Sequence, residues 1–167
     1  MGRQVEVVDY DPQWPRVFEE LSQPIADVLG PLALRIEHVG STSVPGLAAK
    51  PIVDLDVVIA SREDLAAVIE RLRGLGYEHR GDLGIPGREA FTIPAGLPAH
   101  HLYVCAADNA ELARHLAFRD HLRAHPDTVE AYANLKRTLA TRFPDDRVAY
   151  TDAKTTFVEG VLAGAVS

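Results

Sequence analysis

The chain has 167 residues, a formal net charge of −7, a hydrophobic content of 47% and one cysteine, Cys105. That balance is ordinary for a globular protein. It excludes an intramolecular disulfide and argues against broad nucleic-acid binding driven by overall charge. There is no apolar run of membrane-spanning length and no leader-like segment, so the reading is a single cytoplasmic domain over residues 1–167 without a membrane partner.

In chain order, residues 4–8 alternate weakly and suggest a short strand. Asp11 and Pro12 introduce a helix in which Trp14, Val17, Phe18, Leu21, Ile25, Val28 and Leu29 recur at helical spacing. Trp14 reads as a core anchor, and Pro24, inside the pattern, is expected to kink or split the helix. Gly30-Pro31 ends it, and an apolar run from Leu34 to Val39 follows. A second run, Pro51 to Ala60, has the nearly unbroken apolar character of a central strand. Leu65, Val68, Ile69 and Leu72 mark an amphipathic helix closing at Gly74 to Gly76.

Residues 77–80, 88–93 and 101–105 read as strands, with a glycine-rich loop at 81–87 and a hairpin connection at 94–98. Cys105 lies in an apolar run and reads as a small buried hydrophobe. Asp108 with Glu111 suggests a capping box for a helix to about His125. Pro126 starts a second helix to about Phe143, and a third runs from Arg147 or Thr151 to about Gly164. The pattern is an α/β sheet with flanking helices and a C-terminal helical layer.

The chemistry concentrates between the two apolar runs, in IEHVGSTSVPGLAAKPIVDLDVV, Ile36 to Val58. Asp54 and Asp56 are two apart, so on a strand they share a face while Val53, Leu55 and Val57 face the other way. Two like charges side by side on a covered strand call for a compensating cation, and oxygen-only ligands favour magnesium or calcium. Gly40, Ser41 and Thr42 form a turn whose backbone N–H groups and hydroxyls suit a phosphate. Each feature alone is commonly structural. A phosphate cradle beside a metal-binding carboxylate pair is the equipment of phosphoryl or nucleotidyl transfer.

The order apolar residue, Gly40-Ser41, twelve residues, Asp54-Leu55-Asp56 resembles the signature of the nucleotidyltransferase superfamily. HVGSTSVPGLAAKPIVDLDVVI, together with VVDYDPQWPRVFEEL, HHLYVC and RHLAFRDHLRAHPDTVEAYANLK, is similar to the GrpB family from about Val5 to about Leu162. The resemblance implies a nucleotidyltransferase-like mixed sheet. It also implies a third carboxylate on a strand beside the aspartate pair. Glu89 and His101 stand level for that role, as metal ligand and as catalytic partner, and an absent third ligand is the rival.

The helical half supplies cations. His115 and Arg119 are four apart on the face that carries Leu112 and Leu122. Lys136 falls in the stripe Val129, Tyr132, Leu139, Phe143, and Lys154 lies one turn before Phe157 and Val158. Each alone reads as a long side chain snorkelling to water, and as a set, with Lys50, they could bind a triphosphate. His38 reads as a core histidine, His121 and His125 as solvent-facing, and the seven histidines form no zinc spacing.

The leading expectation is a magnesium-dependent nucleotidyltransferase. It would move a nucleoside monophosphate from a nucleoside triphosphate to an acceptor hydroxyl or phosphate. The alternative is a noncatalytic nucleotide- or protein-binding domain on the same fold, including one auxiliary to coenzyme A biosynthesis.

Overall fold

A computed structural model of the chain describes residues 6–166. Helix α1 (Trp14–Leu29) is followed by strands β1 (Arg35–Val39) and β2 (Val53–Ile59), helix α2 (Leu65–Arg73), and strands β3 (Glu78–Gly81), β4 (Glu89–Thr92) and β5 (His100–Ala106). Helices α3 (Ala110–Ala124), α4 (Pro126–Arg142) and α5 (Arg147–Val166) complete the chain. The strands form one mixed sheet in the order β1-β2-β5-β4-β3. β2 pairs antiparallel with β1 and parallel with β5, and β4 pairs antiparallel with both β5 and β3.

The covering of both faces follows from the alternation of β2. Val53, Leu55, Val57 and Ile59 pack with Leu102, Val104 and Phe91 against Ile25 and Leu29 of α1 and Val68 and Leu72 of α2. The opposite face carries Asp54, Asp56 and Val58, and there Val58 and Cys105 pack on Leu112 of α3. Val44, Leu47 and Ala48, from the loop after the Gly-Ser turn, pack on Leu122, Tyr132 and Ala133 and so tie α3 and α4 to the sheet. The C-terminal helices therefore form a layer over the aspartate face.

Three local expectations are corrected. Pro24 does not split α1, which runs unbroken from Trp14 to Leu29. An interior proline costs about 3 kcal/mol, but Leu21, Ile25 and Leu29 are all buried. Burying each side chain contributes about 1.5–3 kcal/mol, which outweighs that cost. The N-cap of α3 is Asn109, not Asp108; its side chain accepts from Leu112 N at 3.0 Å. The expected strand at 4–8 falls partly outside the described residues. Within them Val8 forms only an isolated bridge, exchanging two backbone hydrogen bonds with Ala49.

Candidate active site

The register of β1, β2 and β5 assembles the acidic centre. Val39 lies opposite Asp54 and Glu37 opposite Asp56 on one side, with His101 and Tyr103 in the same rows on the other. Paired residues share a sheet face, so Asp54, Asp56, His101 and Tyr103 all project toward the helical layer. Nδ1 of His101 lies 2.7 Å from Asp54 Oδ1, and Nδ1 of His115 lies 2.8 Å from Asp56 Oδ2. An ionised carboxylate only accepts, so each ring donates to its aspartate through Nδ1. Burial pulls the His115 pKa down, but the Asp56 hydrogen bond and the charges of Asp56, Glu111 and Asp54 outweigh it and leave the pKa raised.

Asp56 is 1% exposed, and its Oδ1 is buried without a hydrogen-bond partner among the described residues. A carboxylate oxygen stripped of water and left unpaired is costly. The atom fits a cation: it and Asp54 belong to one strand face and offer hard oxygen donors. Among the described residues, no group of three or more histidine, cysteine or acidic side chains is placed to hold a metal ion. Glu89 is corrected on this point. It pairs with Val104, so it faces the α1–α2 side of the sheet. There it meets His79 Nε2 at 2.9 Å and Arg62 at 3.9 Å. Two carboxylates with open positions suit magnesium, which keeps several waters and completes its shell with substrate phosphates.

The Gly-Ser turn closes over this centre. Gly40 has φ +74°, and a Cβ there would collide with Asp54 Oδ2, so only glycine lets the turn and the carboxylate share the space. Ser43 N and Oγ both donate to Gly40 O, at 3.1 and 2.5 Å. Thr42 is buried with its hydroxyl 2.9 Å from His38 Nε2, so that oxygen is engaged on the protein. His38 stacks on Phe18 at 4.7 Å, and burial pulls its pKa down to about 4. Ser41 is left as the hydroxyl turned to the helices, where Lys136 Nζ donates to it and, at 3.1 Å, to Ala48 O.

Lys136, Lys50 and Lys154 converge. Lys136 is 2% exposed and sits over the Tyr132 ring, while Lys50 and Lys154 lie 5.1 and 5.6 Å from the centre of the Tyr150 ring. Burial depresses all three pKa values. Mutual repulsion among the lysines lowers Lys136 and Lys154 further, and Arg147 acts likewise on Lys50. None of the three forms an ion pair among the described residues. They line one cleft of about 520 Å³ with Gly40, Ser41, Asp54 and His101.

Arg119 does not join them. It donates to Glu37 Oε2 at 2.6 Å and to His38 O at 3.1 Å, clamping α3 to β1. Its expected place in a phosphate site is corrected: a neighbouring acid on β1 neutralises it. Two residues of the site went unread in the sequence. Arg123 donates twice to Ser43 O, at 3.0 and 2.8 Å, and fixes the turn. Arg88 stacks over Tyr103 at 4.1 Å and also lines the cleft.

Residues 4–163 match the GrpB protein family. The chain belongs to the GrpB family. It is 37% identical over 157 residues to UPF0157 protein YqkA of Bacillus subtilis, covering 94% of this chain and 46% of that protein. The chain thus spans about half the length of that relative. The crystal structure of conserved protein GrpB from Enterococcus faecalis superposes with a TM-score of 0.86 at 37% identity, over 96% of both chains. The Cid1 poly(U) polymerase, solved with MgGTP bound, aligns with a TM-score of 0.56 at 14% identity, over 81% of this chain and 45% of that one. That likeness concerns the fold: this GrpB-family chain has a nucleotidyltransferase-like mixed sheet with flanking helices. No described helix is long and apolar enough to cross a membrane.

Proposed function

We propose that this GrpB-family chain is a magnesium-dependent nucleotidyltransferase, acting as one cytoplasmic domain over residues 1–167. The observation that carries the reading is the unpartnered, buried Asp56 Oδ1. It lies on the strand face it shares with Asp54, and Asp54 lines the cleft that holds the glycine turn and three lysines that lack acidic partners. The fold shared with Cid1, whose structure holds MgGTP, supports it.

In this reading Asp54 and Asp56 hold magnesium, which supplies charge neutralisation for the phosphates. Lys136, Lys154 and Lys50 bind the β- and γ-phosphates beside Ser41 and the Gly40 backbone, and His115 fixes Asp56 through its Nδ1 hydrogen bond. His101, with Nδ1 directed to Asp54, keeps Nε2 free to accept a proton from the acceptor hydroxyl. The acceptor oxygen bonds to the α-phosphorus, the bond from the α-phosphorus to the oxygen bridging it to the β-phosphate breaks, and pyrophosphate leaves with that oxygen.

The lack of a third acid in the group, among the described residues, favours a second reading: a domain that binds the triphosphate without transferring it. Incubating the protein with nucleoside triphosphates, magnesium and a panel of hydroxyl and phosphate acceptors separates the two. Magnesium-dependent pyrophosphate release that is lost in Asp54→Asn supports transfer. Triphosphate binding with no release across the panel supports the binding domain.

A further inference from the structure

The aspartate face carries a second positive end that the triphosphate site does not use. Arg88 immediately precedes β4, and Ala90, two residues on, lies opposite Tyr103. Side chains two apart share a face, so Arg88 stands on the aspartate side of the sheet. The strand order β1-β2-β5-β4 then puts Asp54 and Asp56 between two cationic regions. The Gly-Ser turn and its lysines lie at the β1 side, and Arg88 lies at the β4 side.

Arg88 is held in place but not satisfied. Gly87, at φ +79°, packs so closely on Asn109 that a Cβ there would collide with its side-chain amide. That contact anchors the loop to the N-cap of α3. The guanidinium carbon lies over the Tyr103 ring, 4.1 Å from its centre, a contact that helps to hold it there. Its Nε is nevertheless buried without a hydrogen-bond partner, and Arg88 forms no ion pair among the described residues. Arg119 and Arg123, by contrast, are each bound to protein oxygens. An arginine with an unused donor fork in a cleft is suited to a planar or tetrahedral oxyanion.

We propose that Arg88, with His101 at its side, is the acceptor subsite, and that the acceptor carries an oxyanion, a phosphate or a carboxylate, near its attacking hydroxyl. The inference rests on the nucleotidyl-transfer reading and deepens it. In-line displacement brings the nucleophile in opposite the leaving pyrophosphate. With pyrophosphate held at the lysine side, the acceptor enters from the β5–β4 side, where Arg88 stands. Its anionic group on the guanidinium then sets its hydroxyl against Asp54 and His101.

Equilibrium titration tests this without turnover. With magnesium and tripolyphosphate saturating the lysine side, inorganic phosphate and acetate are titrated separately into wild-type protein and into Arg88→Gln and Arg88→Lys. At least one anion is expected to bind alongside tripolyphosphate, about tenfold more weakly in Arg88→Gln and with an intermediate loss in Arg88→Lys. Tripolyphosphate affinity and melting temperature should stay unchanged in both variants, which separates a binding loss from unfolding. Whichever of phosphate or acetate shows the Arg88 dependence identifies the oxyanion. The inference is overturned if neither anion binds, if every anion that binds does so equally well to Arg88→Gln, or if both are displaced by tripolyphosphate. A failure of the transfer reading looks different: no pyrophosphate release from any acceptor, with the Arg88-dependent anion site intact.

Discussion

Gly40 and Asp54 occupy space that only one of them can fill with a side chain. The turn backbone lies where a Cβ would strike Asp54 Oδ2, so the Gly-Ser turn and the carboxylate are built as one unit. Gly40→Ala should therefore damage the acid as well as the turn. It bears a left-handed backbone cost of about 1–2 kcal/mol plus the collision. Gly46→Ala, at φ +84° with open space around it, bears the backbone cost alone. Chemical denaturation should show Gly40→Ala to be the more destabilised. Adding Asp54→Ala should relieve the difference by about 1 kcal/mol or more. Strict additivity would mean that the two residues do not share that space.

The Asp56–His115 pair gives a titration prediction. Burial lowers the His115 pKa, and Asp56 does most to reverse this through its hydrogen bond and charge. In Asp56→Asn the His115 ring should titrate lower than in the wild type, because burial is then opposed by weaker partners. Histidine resonances followed by NMR across pH report this directly. An unchanged His115 midpoint would show that Asp56 is not its partner in solution.

Lys136 and Arg119 should separate cleanly. Lys136→Gln is expected to weaken triphosphate binding by roughly 1.5–3 kcal/mol, the worth of a hydrogen bond to a charged group. Nucleoside affinity should change far less. Arg119→Gln breaks the clamp onto Glu37 and His38 O, so it should lower the melting temperature while leaving triphosphate affinity nearly intact. The effects on affinity should add in the double variant, because the two cations have different partners. Isothermal titration with a triphosphate and with the matching nucleoside measures all three.

His38 predicts an acid limb of stability. Its pKa is about 4 in the fold, against 6.5 unperturbed. Burial is the main cause, opposed by Asp54 and reinforced by Arg123 and Arg119. The unfolded chain takes up a proton that the fold refuses. Stability is therefore full above pH 6.5 and falls as the pH drops from 6.5 to 4, by up to about 3 kcal/mol. His38→Gln should flatten that limb in urea unfolding measured at several pH values. An unchanged slope would assign the acid sensitivity to other groups.

The sheet-borne half of the site was legible because alternation is a local rule. Asp54 and Asp56 at i and i+2 share a face whatever their neighbours do, and the Gly-Ser turn lies at a fixed distance before them. The covering helices were legible from their stripes. What could not be read was register and reach. Glu89 and Arg88 are adjacent in sequence, yet the pairing of Glu89 with Val104 sends them to opposite faces. One became a partner of His79 and the other a wall of the cleft. Arg119 and Lys136 look alike as cations on apolar stripes. Only the docked layer shows that Arg119 meets an acid on β1 while Lys136 meets a hydroxyl on the turn. For Arg88 a signal existed: a cation just after a glycine-rich loop, beside a strand of the site.

The central strands β2 and β5 are parallel neighbours, yet α2, β3 and β4 intervene between them in the chain. The Asp54–His101 contact spans 47 positions, and the Lys136–Ser41 contact spans 95. Neither can form until the middle of the chain has looped out and returned. Such long-range closure is slow compared with helix or hairpin formation. The β1–β2 hairpin, with both aspartates and the turn, can close early, but it would lack the partners that hold its charges. During refolding, magnesium and triphosphate binding should therefore appear late, together with the docking of β5 and the helices. Ligand binding would then serve as a kinetic probe of the last assembly step.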